Sequence, residues 1–348
     1  MRKVLLCLAV LALAAVAASP ASATKPGSGS STGTARVFVP NPVADLGVGT
    51  FAFRESLTDQ KDADFAALAP AYHEEKLTNL DGSGFLHGDW ATVYSETGNP
   101  AYSPTNTFDY NRSQDEFEQT MAYYWITEAQ KYIQSLGFGT TMRPIDMQPQ
   151  KVRINQYGAD NSFETDHPIL EIRYGKGGVD DAEDAEVILH EYGHAIHFGQ
   201  GFAFASEEAG AISEGFGDYW AADVSDIVAK QLGVPEKTPF GCLMDWDSTS
   251  YTSTVPHCIR RIDGNKHYPE DLVGEVHADG EIWSRALYDI HNALGHTEAD
   301  AIIVNGSMDF TGTTMTQLAN ATVAVAQRLY GRSAANVVHD AFAARGIL

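Results

Sequence analysis

Residues 187–194 read Val-Ile-Leu-His-Glu-Tyr-Gly-His, an H-E-x-x-H pattern entered through three consecutive apolar residues. On a helix, positions i and i+4 are about 400° apart, so His190 and His194 project roughly 40° apart, one turn removed. Their imidazoles can meet one metal ion, and neutral imidazole suits zinc. Glu191 lies beside the pair, placed to reach water activated by the ion rather than the ion itself. A chain of this composition produces the pattern by chance roughly 0.02 times. The plainer reading is an amphipathic helix carrying two satisfied histidines. Against it, the apolar lead-in predicts a buried helix, where imidazoles without partners are costly.

A zinc site that does chemistry needs a third protein ligand and an open position. The segment Ala211-Ile212-Ser213-Glu214-Gly215-Phe216-Gly217-Asp218-Tyr219-Trp220 offers Glu214, twenty residues after His194, with Asp218 one helical turn beyond. A second helix can present Glu214 to the ion, and Asp218 then accepts the outer N–H of a histidine ligand, fixing its ring. His197 shares a face with the pair but stands seven residues from His190, about 10 Å along a straight helix, too far for one ion. Glu207 and Glu208 lack an acid at the matching offset, and an H-x-x-G-x-x-H continuation fails because His197 and Gln200 stand where Gly and His are needed.

Around this motif the chain divides by pattern. Residues 1–23 have Arg2 and Lys3, an apolar stretch from Val4 to Ala18, and Ala21-Ser22-Ala23 at the end, which reads as a secretory signal and a small-residue cleavage site. Residues 24–34 are Gly/Ser/Thr-rich and are expected to be a flexible leader. From 35 to 180, β-branched and aromatic runs such as Ala35–Val39, Trp90–Tyr94 and Val152–Asn155 alternate with turn formers, interrupted by one helix near 114–136. From 181 to 348 the pattern is helical, with helices expected at 181–198, 208–229, 276–294, 313–330 and 333–344. The fold class is therefore α+β: a mainly β N-terminal lobe, then a mainly α C-terminal lobe, with the metal site between them. A net charge of −23 makes nucleic acid or an anionic membrane surface a poor partner, and no later run is long enough to insert in a bilayer. After the signal only Cys242 and Cys258 remain. Flanked by turn formers in an exported chain, they most simply form one disulfide, with a two-cysteine zinc site as the rival.

H-E-x-x-H followed by E-G-x-x-D-Y-W resembles the gluzincin metallopeptidases, and specifically the fungalysin family, relatives of thermolysin. The likeness extends to Ala35-Arg36-Val37-Phe38-Val39-Pro40-Asn41-Pro42-Val43, to His277-Ala278-Asp279-Gly280-Glu281-Ile282-Trp283, and to Ala341-Phe342-Ala343-Ala344-Arg345-Gly346-Ile347. These landmarks span most of the chain. The resemblance implies a two-lobed thermolysin-like fold and one catalytic zinc held by His190, His194 and Glu214. Glu191 is then the general base, Asp218 the partner of a ligand histidine, and His277 the histidine that stabilises the oxyanion. Asp160-Asn161-Ser162-Phe163 is similar to the edge-strand element that holds the substrate backbone, which assigns Asn161 to substrate binding. Ile259-Arg260 resembles the pair that meets the residue after the scissile bond, with Arg261 as the alternative match. Val187 would line an apolar pocket for that residue, implying a preference for bulky apolar side chains.

The function these residues imply is a secreted zinc endopeptidase acting on protein or peptide substrates, a monomer by default. Two alternatives remain: a zinc-stabilised binding protein of the same fold without catalysis, and a narrow-specificity peptidase or amidase. Relatives carry a long folded propeptide where only a short leader is expected here, so either latency is handled differently or the chain is a minimal relative. The acids Asp180, Asp181, Glu183, Asp184 and Glu186 read first as charges complementing the helix dipole and second as a calcium site. Ser225 stands eleven residues after Glu214, where a double calcium site would need an acid.

Overall fold

The computed structural model describes residues 31–47, 63–95, 97–155, 159–165 and 169–348. The signal expected at 1–23 and the leader up to residue 30 lie outside the described residues. Strand β1 (Ser31–Val37) pairs antiparallel with β2 (His73–Leu80) and parallel with the short β4 (Thr107–Phe108). Residues 31–34 of the expected leader are therefore strand, which corrects the sequence reading. The composition looked flexible, but Gly33 lets β1 lie against residue 106, where a Cβ would come within 2.2 Å of the Asn106 carbonyl oxygen. Thr34 donates its N–H to that same oxygen at 3.0 Å. Backbone pairing overrides the local preference.

A second sheet runs β3 (Ala91–Ser95), β5 (Gln150–Ile154), β7 (Glu171–Arg173), β6 (Phe163–Glu164) in spatial order, parallel except for the antiparallel β6 edge. Among the described residues, two α-helices lie in this part of the chain. The short α1 (Pro42–Leu46) is started by Asn41, whose side chain accepts from the Val43 and Ala44 N–H groups, with Pro42 at the first position. The long α2 (Asp115–Ser135) carries Phe117, Met121, Trp125, Ile126 and Ile133, all fully buried, and packs against β1, β3 and α3 (Ala185–Gln200).

The C-terminal part is helical. After α3 come α4 (Glu207–Leu232), α5 (Val276–Leu294), α6 (His296–Gly306), α7 (Met315–Tyr330) and α8 (Arg332–Ala344). The expected helices recur within a few residues. The exception is α6, which follows α5 directly because Gly295, with φ of 76°, ends one helix and turns the chain into the next. Between α4 and α5 a two-stranded ribbon, β8 (Cys242–Leu243) and β9 (Arg260–Arg261), is stapled by the Cys242–Cys258 disulfide, with Cα atoms 5.1 Å apart. The molecule is thus α+β, with sheets in its N-terminal part and helices in its C-terminal part. No helix among the described residues is long and apolar enough to cross a membrane.

One buried ion pair ties the two parts together. Arg112 and Glu183 have fully buried side chains and meet Nε to Oε2 at 2.9 Å, with the guanidinium 5.5 Å over the Trp246 ring. Removing one partner strands the other charge in the interior. Glu183→Ala is expected to cost about 3–5 kcal/mol of stability, read as a lower urea midpoint. An unchanged midpoint would show that the pair is not a structural tie.

Candidate active site

The site forms where α3, α4 and α5 cross, and small residues make the crossing possible. A Cβ on Gly193 of α3 would lie 2.8 Å from Gly217 Cα on α4, and one on Gly217 would lie 2.8 Å from His190 Nδ1. On the other side of α4, a Cβ on Gly280 of α5 would fall 2.9 Å from Glu214 Cβ. The glycines inside H-E-Y-G-H and E-G-F-G therefore let the helix backbones approach closely enough for three side chains to converge.

His190 and His194 present Nε2 to the Glu214 carboxylate at 3.2 and 3.6 Å, their rings perpendicular with centroids 4.9 Å apart. The opposite ring nitrogens are held. His190 Nδ1 lies 2.9 Å from Asp218 Oδ1, and His194 Nδ1 lies 2.8 Å from the Ser213 hydroxyl. With both Nδ1 atoms so engaged, both Nε2 atoms turn toward the same point. One ligand atom from each of His190, His194 and Glu214 falls within 4.8 Å of the others. Two imidazoles, one carboxylate and fixed outer partners match the donor set of zinc.

Electrostatics agree with a site built around positive charge. Burial and the neighbouring Arg260 oppose a charged His190, but its bonds to Asp218 and Glu214 prevail and hold it up to about 9. Burial lowers His194 to about 4. Burial would also raise Glu214, yet the surrounding histidines, His194 first, pull it well below the usual carboxylate range. Glu191 sits beside them, 6% exposed, with Oε2 lacking a hydrogen-bond partner, and burial pushes its carboxyl up to about 7.

Arg260 locks the far side. Its Nε donates to both Asp218 oxygens at 2.8 and 2.9 Å and its Nη2 donates to Oδ1 at 2.7 Å. Asp218 is therefore shared between His190 and Arg260. Arg261 points away, to Asp263 at 2.6 Å, so the structure brings Arg260 and not Arg261 to the site. His277 stands at the rim, half-exposed, with Nε2 3.4 Å from Glu214 Oε2 and Nδ1 2.6 Å from Glu275. Val187 and Asn161 line the same cavity of about 490 Å³ as His190, Glu191, Arg260 and His277. Asn161 lies two residues before β6, the edge strand of its sheet.

Sequence reasoning missed Ser213. Its hydroxyl also lies 3.0 Å from His197 Nδ1, and His197 stacks between Phe202 and Phe216 at centroid distances of 4.3 and 4.4 Å. His197 is thus a core residue that shares a hydroxyl with a ligand candidate. Its i+3 relation to His194 was the available signal, because it places both rings on the face that meets α4. The acidic run ahead of α3 disperses into separate roles. Asp184 caps α3 by accepting from the Glu186 N–H at 3.0 Å, Glu183 holds Arg112, and Asp181 accepts from the Ser162 hydroxyl.

No curated protein matches the chain by sequence. Residues 201–347 match the family model for the thermolysin metallopeptidase, alpha-helical domain. Among solved structures, the chain is similar to the precursor of protealysin, a metalloproteinase from Serratia proteamaculans. The TM-score is 0.54 at 19% identity, over 74% of this chain and 87% of that one, a likeness of fold. The sequence match thus covers the helical part, and the match over most of the chain is one of thermolysin-like fold.

Proposed function

We propose that the chain is a secreted zinc endopeptidase of fungalysin type, with His190, His194 and Glu214 holding the ion. The observation that carries this reading is the convergence of both Nε2 atoms on Glu214 beside the buried, unpartnered Glu191 oxygen, in a cavity next to an edge strand. Zinc, when bound, supplies Lewis acidity, raising the acidity of water and polarising a peptide carbonyl. Glu191 takes the proton from the attacking water and delivers it to the departing amine, a task suited to a carboxyl held near 7. His277 donates through Nε2 to the carbonyl oxygen as charge develops there. Glu275, 2.6 Å from Nδ1, orients the ring for that contact. Asn161 holds the substrate backbone as an added strand, and Arg260, oriented by Asp218, meets the residue after the cut. A non-catalytic zinc staple would call for four protein ligands, whereas this cluster groups three.

The test is digestion of a denatured protein mixture by the mature chain. Zinc-loaded protein should cut at internal peptide bonds, chelation should stop cutting, and added zinc should restore it. Release of terminal residues alone, or cutting indifferent to the chelator, would remove the endopeptidase reading.

The same proposal includes a calcium ion at Asp184, Glu186 and Asp245, whose oxygens lie within 4.8 Å of one another, with Ser225 3.5 Å from Glu186. Burial pushes Asp184 up to about 6, Asp245 to about 7 and the nearby Glu236 to about 8. Carboxyls whose folded pKa exceeds the unfolded value near 4 bind protons more tightly when folded. Their stabilising effect is full at low pH and is lost as pH rises through the folded values. Without calcium, Tm should therefore fall as pH rises from about 4 to 8, and calcium should restore it at the upper end. Melts that ignore calcium at pH 8 would dismiss the ion.

A further inference from the structure

The cavity beside Glu191 has walls of one kind and a floor of another. Val187, Met244 and Ile259 supply apolar wall. The floor carries Asp160, Asp181 and Asp247, one oxygen from each within 4.8 Å of the others. These acids come from three separate segments: the approach to β6, the turn ahead of α3, and the turn after β8. They are therefore not one solvated charge run. Asp181 and Asp247 are only 2% and 4% exposed, yet Asp181 Oδ1 and Asp247 Oδ1 have no hydrogen-bond partner. A buried carboxylate oxygen without a donor is costly to the fold and points to a donor arriving from outside.

Ser162 serves the other Asp181 oxygen, and among the described residues lining the cavity none donates to Asp181 Oδ1 or Asp247 Oδ1. Among the described lining residues the one lysine or arginine is Arg260, and its guanidinium is committed to Asp218 through three contacts of 2.7–2.9 Å. An ammonium with N–H···O bonds of about 2.8 Å spans acceptors up to roughly 4.6 Å apart at tetrahedral angles, and the triad offers one oxygen from each acid within 4.8 Å of the others. Aliphatic walls above an acidic floor suit a side chain with a long hydrocarbon stem and a cationic tip.

We infer that this cavity is a specificity pocket for a cationic substrate side chain, lysine foremost, on the residue that follows the cleaved bond. The inference rests on the peptidase reading for its placement, because Arg260 and Val187 assign the cavity to that residue. It replaces the bulky apolar preference expected from Val187 alone. Asp181 and Asp247 are the specificity-determining residues, with Asp160 at the more open side.

The test compares the mature wild type with the Asp181→Asn/Asp247→Asn variant, whose amides keep the shape and remove the charge. In a digest of a denatured protein mixture, wild type should place lysine after most cuts, with arginine second. The variant should lose the lysine-over-leucine preference by about 100-fold or more in kcat/KM on matched peptides. A second readout is calorimetric binding of a lysine peptide and its leucine counterpart to zinc-loaded Glu191→Gln protein, where the lysine peptide should bind tighter. If the double variant fails to fold, Asp247→Asn alone carries the comparison. Cuts without basic enrichment, or a preference that survives in the variant, overturn the inference and leave the peptidase reading standing. A variant that alters only the calcium dependence of Tm also overturns it, by making the triad a metal site. Absence of any cutting counts against the peptidase reading, and the calorimetric comparison then still decides the pocket.

Discussion

Glu191→Gln is expected to lower kcat/KM by about 10²–10⁴-fold while leaving fold and zinc content unchanged. Glutamine has nearly the same shape but cannot accept the proton from water. The position tolerates the exchange because Glu191 Oε2 has no hydrogen-bond partner to lose. Burial is what holds the carboxyl near 7, and the amide removes a buried charge rather than creating one. Kinetics on a peptide substrate, with metal analysis and circular dichroism on the same sample, check the result. Full activity in a folded, zinc-loaded variant would overturn the assignment of roles.

His194→Ala should do more, because it takes away a ligand. Loss of an outer hydrogen-bond partner of a ligand typically costs about 10–100-fold in metal affinity, and loss of the ligand itself should exceed that range. At free zinc buffered near the wild-type Kd, activity should fall below about 1% of wild type. Ser213→Ala provides the graded comparison. Its hydroxyl orients the His194 ring from 2.8 Å, so it should lose affinity only within about 10–100-fold and recover at high zinc. Equal effects from the two variants would mean that Ser213 does more than orient. No effect from His194→Ala would remove it from the metal site.

Much of this is legible in the amino-acid sequence, and the reason is local. The H-E-x-x-H spacing and its apolar lead-in are properties of a single helix, so α3 and the pairing of His190 with His194 follow from helical geometry alone. Glu214 and Asp218 were legible because one turn on α4 separates them, and the second acid falls at His190 Nδ1. What the residues did not disclose depends on contacts between distant segments. The Asp218–Arg260 pairing joins α4 to a ribbon 42 residues later. Ser213 becomes a partner of His194 only because Gly193 and Gly217 let two backbones touch. The acidic run before α3 looked like one feature, yet Glu183, Asp184 and Asp181 face an arginine, a helix end and a cavity floor respectively. Residues 31–34 looked like linker because composition says nothing of a waiting sheet edge.

The central claim is that two imidazoles and one carboxylate hold a single zinc and leave one position open to solvent. X-ray absorption spectroscopy of the zinc-loaded mature protein, compared with the Glu214→Ala variant, tests it most directly. The account predicts one zinc per chain, two histidine nitrogens and one carboxylate from Glu214, and a remaining oxygen that an added small thiol inhibitor replaces with sulfur. Four fixed protein ligands that no inhibitor displaces, or a spectrum unchanged by loss of Glu214, would contradict it.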